Sequence, residues 1–247
     1  MIDMGGELEK TVEVIYPEEP RCALVLLLDT SGSMGEYLEG ARKIDELNEG
    51  IKILKEELME DELARKRVEI EVITFGGANE VNIFHKFSSV DEFNPENLKA
   101  YGVTPMGKAI LRGIEEVESR KRYYKEKGIE YYRPWLWLIT DGMPTDMNVG
   151  DDMWNRVVRE VHEGEKQHKF TFWAVGVGGD EGADMEKLKM IAPPNRIPVK
   201  LKGVKFKEMF SWLSKSLRKV SASKPGEQVE FGSIEEWAEG WTRVDRI

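Results

Sequence analysis

Short apolar runs of strand length recur along the chain, and amphipathic segments of helical length separate most of them. LVLLL (24–28) and WLWLI (135–139) are apolar at every position, which is typical of strands buried on both faces of a parallel sheet. We interpret six runs as strands: residues 22–29, 68–75, 81–87, 135–140, 170–177 and 197–201.

The segments between these runs repeat apolar residues every three or four positions, which is the period of an amphipathic helix. They predict helices over 37–58, 109–117, 153–166, 184–191 and 206–220.

Two neighbouring runs differ from the others because they alternate apolar and polar residues. VEIEVITF (68–75) and VNIFHKF (81–87) are joined by GGANE, which predicts a hairpin and therefore one antiparallel strand at the sheet edge. Strands that alternate with helices elsewhere imply right-handed crossovers. The chain is thus predicted to be an α/β protein. We expect a mostly parallel central sheet of about six strands, one antiparallel edge strand, and helices on both faces.

Composition and charge narrow the classes of partner. The 247 residues include 36 Lys and Arg against 46 Asp and Glu, a formal net charge of -10. Basic surface supplies most of the affinity for phosphate backbones, so we do not expect nucleic acid as the main partner. The acidic start MIDMGGELEKTVEV lacks the apolar core of a signal peptide, and no run approaches the roughly 20 residues that cross a bilayer. We expect a cytoplasmic protein that has no membrane partner.

The C-terminal part of the chain changes character near residue 221. SASKPGEQ (221–228) is polar and contains Pro225 and Gly226, which is typical of a linker. We expect Trp237 and Trp241 beyond it to dock on the main domain. The tyrosine-rich basic stretch 119–133 is either a partner-binding patch or a partly buried strut beneath the sheet edge. The predicted organisation is a lead-in over 1–20, one domain over 21–221, and a linker with a short tail over 222–247.

Acids and hydroxyls follow the predicted buried strands. Asp29, Ser31 and Ser33 come at the exit of the first strand as D-T-S-G-S, Asp141 follows WLWLIT, and Thr104 precedes a helix. The carboxyl ends of parallel strands meet at one edge of a sheet, where ligands bind. Two carboxylates and three hydroxyls suit Mg²⁺, with Mn²⁺ as the alternative, and the lack of soft ligands argues against zinc or copper. We therefore predict that these five residues bind a divalent metal.

Each of these motifs also has an ordinary structural explanation. Asp and Ser favour turns, Thr104-Pro105 is a common start of a helix, and Asp141-Gly142 is a common turn. The metal-site hypothesis depends on all three occurring at the same sheet edge. Two neighbouring carboxylates there would also repel each other without a cation.

With these residues in place, the sequence resembles the von Willebrand factor A domain. Its metal-ion-dependent adhesion site has the pattern D-x-S-x-S, then T, then D, and all five positions match here. Segments such as VITFGG, GVTPMGKAI and FWAVGVG are similar to those of the bacterial TerY/YegL-like group. This resemblance extends over roughly residues 20–228.

The resemblance implies a Rossmann-like fold and a metal that is a bridge rather than a catalyst. An Asp or Glu of a partner protein fills an open coordination position of that metal. The resemblance further implies a tellurite-resistance or stress-response system, with a kinase or phosphatase of the same system as partner. In some relatives the bound carboxylate is coupled to a shift of the last helix, here residues 205–220.

Three other functions fit parts of the sequence less well. A haloacid-dehalogenase-type phosphotransferase needs a second Asp two residues after its nucleophile, and Ser31 occupies that position. The stretch GVGGDE (176–181) begins like a dinucleotide fingerprint, but Glu181 replaces the third glycine. A structural scaffold with a vestigial metal site would not need all five ligands. We therefore expect a binding module and no enzyme activity.

Overall fold

The chain alternates strands and helices largely as the sequence pattern predicts. A computed structural model describes residues 18–178 and 182–239. The lead-in up to residue 17, residues 179–181 of the glycine-rich loop and Trp241 lie outside the described residues. The elements are β1 (Cys22–Thr30), β2 (Tyr37–Leu38), β3 (Ala41–Arg42), α1 (Lys43–Met59), α2 (Glu62–Arg67), β4 (Val68–Gly76), β5 (Glu80–Ser89), α3 (Met106–Lys127), β6 (Trp135–Thr140), α4 (Asp152–Lys166), β7 (Thr171–Gly176), α5 (Met185–Ile191), β8 (Val199–Leu201), α6 (Phe206–Ala222) and β9 (Ala238–Glu239).

A sheet of seven strands forms the centre of the described chain, in the order β5-β4-β1-β6-β7-β8-β9. The five strands β4, β1, β6, β7 and β8 run parallel to one another, and β5 is antiparallel to β4. The prediction of a mostly parallel sheet with an antiparallel edge strand is therefore confirmed. The seventh strand, β9, adds a second antiparallel edge on β8. It has only two residues, too few to show an alternating pattern in the sequence.

Helices cover both faces of the sheet, and this explains why β1 is apolar at every position from Cys22 to Leu28. Leu24, Leu26 and Leu28 pack on the face that carries α1, α2 and α6. Val25 and Leu27 pack on the opposite face, against α3 and α4. Burying each such side chain stabilises the fold by about 1.5–3 kcal/mol. None of the described helices is long and apolar enough to cross a membrane.

The first helix begins later than the apolar period predicts. The sequence pattern starts a helix at residue 37, but α1 begins at Lys43. Before it, Leu38 pairs with Ala41 in the small hairpin of β2 and β3. Glu39 and Gly40 form the turn of this hairpin at φ of 53° and 87°, which a right-handed helix cannot accommodate. The period is misleading here because Leu38 and Ala41, which pair across the hairpin, are three positions apart, and this is also a helical spacing.

The tyrosine-rich stretch 119–133 is partly buried. It forms the end of α3 and the connection to β6, and both Arg120 and Tyr124 are buried. Arg120 Nη2 lies 2.8 Å from Glu69 Oε2 on β4, and the Tyr124 hydroxyl donates a hydrogen bond to the same oxygen. These buried contacts favour the strut over the partner-binding patch.

The described part of the C-terminal tail docks on the sheet and on α6. Trp237 is 1 % exposed, and its ring centroid lies 5.7 Å from that of Trp212. Trp212 Nε1 in turn donates a 2.9 Å hydrogen bond to the carbonyl oxygen of Gly232. Trp237 therefore occupies the docked position that we expected for it.

Candidate metal centre

The predicted site lies where the direction of winding reverses. β1 and β6 are neighbours in the sheet. The connection from β1 to β4 crosses the face that carries α1 and α2, whereas the connection into β6 crosses the opposite face through α3. Such a reversal leaves a crevice at the carboxyl ends of the two strands. Asp29 lies near the end of β1, and Asp141 directly follows β6.

A chain of hydrogen bonds joins four of the five predicted ligands. The Ser31 backbone N–H donates to Asp29 Oδ1 over 2.8 Å. The hydroxyl oxygens of Ser31 and Ser33 are 3.0 Å apart. The Ser33 hydroxyl donates to Asp141 Oδ1 over 2.6 Å. The short turn after β1 therefore links the carboxylates of two neighbouring strands.

The fifth residue, Thr104, borders the same space. A β-carbon placed on Gly142 would lie 3.2 Å from Thr104 Oγ1 and 3.8 Å from Asp29 Oδ2. The hydroxyl and the carboxylate oxygen therefore face one small volume beside Gly142, which a larger residue at position 142 would enter. The structure thus brings all five predicted residues to one edge of the sheet.

Backbone contacts between loops fix the position of Thr104. The Gly32 N–H donates to the Gly102 carbonyl over 3.0 Å, and the Val103 N–H donates to the Gly77 carbonyl over 3.0 Å. Gly102 has a φ of 80°, a conformation that glycine adopts without steric cost. The segment before Thr104 is therefore held between the exits of β1 and β4.

The start of α3 is capped from another loop. Thr104 lies near the N-cap, as its position before Pro105 predicts, but Pro105 is the N-cap residue and makes no side-chain cap. Asp146 instead accepts hydrogen bonds from the N–H groups of Gly107 at 3.0 Å and Lys108 at 2.8 Å. Asp146 is remote in sequence, so only the topology reveals its role. It ties the loop after β6 to the helix that follows Thr104.

Asp29 is fully buried, and this dominates its electrostatics. The pKa of Asp29 is raised to about 6, chiefly by burial and also by the charge of Asp141. The hydrogen bonds from Ser31 and Thr140 act in the opposite direction and lower this pKa. The Thr140 hydroxyl donates to Asp29 Oδ2. Sequence analysis missed Thr140, because it ends a buried run in which nothing indicates this contact.

A lysine also reaches the site, and sequence analysis missed it. Lys43 Nζ lies 2.5 Å from Asp141 Oδ2 and 3.7 Å from Glu36 Oε2, and its side chain is 8 % exposed. Asp141 Oδ2 is buried, and among the described residues the Lys43 ammonium is the cation that contacts it. We expected the two carboxylates to need a cation, and one comes from the protein itself.

The residues present fit a divalent ion. All five side chains offer oxygen, the preferred ligand of hard cations. The carboxylate oxygen Asp141 Oδ2 is buried and already faces a cation, the Lys43 ammonium 2.5 Å away, so this position attracts positive charge. In the ranges 18–178 and 182–239, no three side chains of His, Cys, Asp or Glu form a metal-binding group. A metal at this edge would therefore need the hydroxyl oxygens as well as the two carboxylates.

Solved structures with similar folds include proteins of adhesive structures. The pilus adhesin SpaC of Lactobacillus rhamnosus GG has a TM-score of 0.61 at 14% identity, over 81% of this chain and 31% of SpaC. The minor pilin PilB of Streptococcus sanguinis has a TM-score of 0.56 at 15% identity, over 84% of this chain and 64% of PilB. At identities this low, the similarity in structure shows a shared fold and nothing more.

A third similar structure is proximal thread matrix protein 1 of the mussel byssus, solved with zinc in its adhesion-site motif. Its TM-score is 0.51 at 16% identity, over 81% of this chain and 48% of that protein. The chain spans less than two thirds of the length of each of these three proteins. No curated protein sequence matches the chain.

A comparison of the sequence with models of protein families shows the family of the chain. The family model of the von Willebrand factor type A domain matches residues 23–211, which is most of the chain. The match includes the sheet from β1 to β8 and all five residues of the candidate site. The chain belongs to the von Willebrand factor type A domain family.

Proposed function

We propose that the protein is a metal-dependent protein–protein interaction module. Asp29, Ser31, Ser33, Thr104 and Asp141 hold Mg²⁺, or alternatively Mn²⁺, at the carboxyl edge of the sheet. A divalent ion at this position supplies a coordination position for an Asp or Glu carboxylate of a partner protein. Domains of this family commonly mediate metal-dependent protein interactions, which supports the proposal.

The observation that carries the proposal is the convergence of five oxygen-bearing side chains from three separate loops. Hydrogen bonds within this set link Asp29 to Asp141 through Ser31 and Ser33. A buried group of this kind is costly to fold, because two carboxylates lose their hydration close together. The cost is offset when the carboxylates share a cation.

The surface around the candidate site also suits a protein partner. Tyr37, Tyr101, Val103 and Met143 lie on the loops that carry the site residues, and each is at least 41 % exposed. Exposed apolar side chains grouped around a polar centre are typical of interaction surfaces. They favour a partner whose acidic residue is flanked by apolar residues.

An enzyme role has less support. Asp29 has no exposed surface and accepts hydrogen bonds from Ser31 and Thr140, which suits a fixed ligand better than a nucleophile that must reach a substrate. Ser31 also occupies the position where a phosphotransferase would carry its second acid. Domains of this family are generally adhesion and interaction modules.

The cellular setting that we propose follows the family resemblance. It is a cytoplasmic tellurite-resistance or stress-response system of the TerY/YegL-like type, with a kinase or phosphatase as the partner. We retain residues 21–221 as the domain, 1–20 as its lead-in and 222–247 as linker and tail. The buried Trp237 indicates that part of this tail contributes to the domain core.

The first experiment measures metal binding by isothermal titration calorimetry with MgCl₂ and with MnCl₂. We expect the wild-type protein to bind either ion, and Asp29→Asn and Asp141→Asn to lose binding while circular dichroism shows a retained fold. Asp45→Asn, an exposed acid on α1, is the matched control and should bind like wild type. A wild-type protein that binds neither ion would instead favour the scaffold with a vestigial site.

A second experiment tests the partner. The purified protein is incubated with lysate of its native host in Mg²⁺ or in EDTA, with Asp141→Asn and Asp45→Asn in parallel. We expect a protein that is retained only in Mg²⁺, and only by wild type and Asp45→Asn. A partner that is retained in every condition would place the interaction on another surface.

A further inference from the structure

The Lys43 ammonium and a bound metal ion would compete for the same carboxylate, that of Asp141. Lys43 Nζ lies 2.5 Å from Asp141 Oδ2, a buried oxygen for which this ammonium is the contacting cation among the described residues. An ammonium at that distance occupies the space in which a second cation would approach the same oxygen. Within the described chain, Lys43 is also the one cation that is paired with either site carboxylate.

The position of Lys43 is not explained by the stability of its helix. Lys43 is the first residue of α1, where the helix dipole disfavours a positive charge. The same turn carries Asp45 and Glu46, the residue types that this end of a helix prefers. The lysine side chain is nevertheless buried. A specific contact must therefore offset both the unfavourable helix dipole and the burial of the charge. Asp141 supplies that contact.

Lys43 also has a second acid within reach. Glu36 Oε2 lies 3.7 Å from Lys43 Nζ, and its side chain is 73 % exposed. The Lys43 backbone N–H further donates to the Glu36 carbonyl over 3.2 Å, which keeps the two residues side by side. An ammonium that leaves Asp141 can therefore pair with Glu36 without any movement of the helix.

We propose that Lys43 is a built-in counter-ion of the metal site that competes with the divalent ion for Asp141. The ammonium neutralises the buried acid pair, and metal binding transfers it to Glu36 at the rim. This inference rests on the proposed function, because it takes Asp141 as a metal ligand. It predicts that Lys43 lowers the metal affinity while it stabilises the protein without metal.

The test compares wild type with Lys43→Met, which keeps the apolar stem and removes the charge. Calorimetry with MgCl₂ should show about tenfold tighter binding by Lys43→Met, because no ammonium has to be displaced. Thermal unfolding in EDTA should show a melting temperature roughly 5 °C lower for this variant, since the acid pair then lacks its cation. In saturating MgCl₂ the two melting temperatures should converge.

Two controls make each outcome decisive. Lys52→Met removes an exposed lysine from the same helix and should change neither quantity. Lys43→Arg keeps the charge, so its Mg²⁺ affinity and its melting temperature in EDTA should both stay close to those of wild type. Unchanged or weaker Mg²⁺ binding by Lys43→Met would overturn the inference, because Lys43 would then support the metal rather than compete with it. Wild type that binds no Mg²⁺ would refute the proposed function as well.

Discussion

Gly102 lies so close to the backbone of Gly77 that a side chain on Gly102 would have no room. A β-carbon on Gly102 would lie 1.8 Å from the Gly77 carbonyl oxygen, and Gly102 also has a φ of 80°. This contact fixes the segment that leads to Thr104. We expect Gly102→Ala to lower the free energy of unfolding by about 3 kcal/mol or more, measured by urea denaturation.

Gly128→Ala is the matched control for this prediction. Gly128 has a φ of 67°, but a β-carbon there would meet nothing within 4 Å. Its substitution should cost only the left-handed conformation, about 1–2 kcal/mol. Equal losses for the two variants would mean that the close approach to Gly77 contributes nothing.

The stability of the protein should depend on pH through Glu71. Burial raises the pKa of Glu71 to about 8, with Glu116 acting in the same direction, while Arg112, Arg120 and the Phe87 N–H lower it. The folded state therefore binds a proton that the unfolded state releases from about pH 4.5 upward. The stability linked to Glu71 is fully present below that pH, and it is lost as the pH rises through about 8.

Glu71→Gln removes this titration. Compared with wild type, the variant should gain stability at pH 9 and differ little at pH 5, as measured by urea midpoints in EDTA. Glu115→Gln, an exposed acid on α3, should show no such trend. A difference between Glu71→Gln and wild type that is the same at every pH would contradict the assignment.

The buried pair of Glu69 and Arg120 should be costly to break and cheaper to replace as a whole. Arg120 Nε and Nη2 both lie within 2.9 Å of Glu69 Oε2. Arg120→Met removes the closer of the two arginines that flank the buried Glu69 carboxylate, since Arg21 Nε lies 3.7 Å from Glu69 Oε1, and should cost about 3 kcal/mol. Adding Glu69→Gln should recover part of this loss, which a double-mutant cycle from urea denaturation measures. Additive losses would show that the two charges are energetically independent.

The docked tail should contribute to global stability. Trp237 is buried against Trp212, and its carbonyl accepts a 2.9 Å hydrogen bond from the Lys202 N–H. We expect Trp237→Ala to cost about 3–5 kcal/mol in urea denaturation. Glu235→Ala changes an exposed neighbour and should be close to neutral. A neutral Trp237→Ala would mean that the tail docks without stabilising the domain.

The fold could be predicted because its main signals are local. Runs that are apolar at every position indicate strands buried on both faces. The strands predicted from them, 22–29 and 135–140, agree with the bounds of β1 and β6 within one residue. The hairpin before α1 was not predicted, because its paired residues Leu38 and Ala41 are three positions apart and so also fit the helical period. The strand β9 was not predicted, because two residues carry no period.

The predicted ligands could be found because each stands beside a strand or helix end that the sequence marks. The residues that act on them could not be found in this way. Thr140, Asp146 and Lys43 reach the site through the topology, across 111 residues for the Thr140 contact and 38 or 39 for the Asp146 contacts. Without an order of strands, nothing in the sequence brings Lys43 to Asp141.

The tryptophan stack provides the protein with an optical reporter of its last helix. Trp212 on α6 lies 5.9 Å from Trp173 and 5.7 Å from Trp237, and Trp173 stacks on Trp137 at 5.3 Å. Indoles this close couple electronically, so their near-ultraviolet circular dichroism depends on their mutual orientation. The shift of α6 that the family resemblance implies would move Trp212 against its neighbours in the sheet. Carboxylate binding could then be followed spectroscopically in the unlabelled protein.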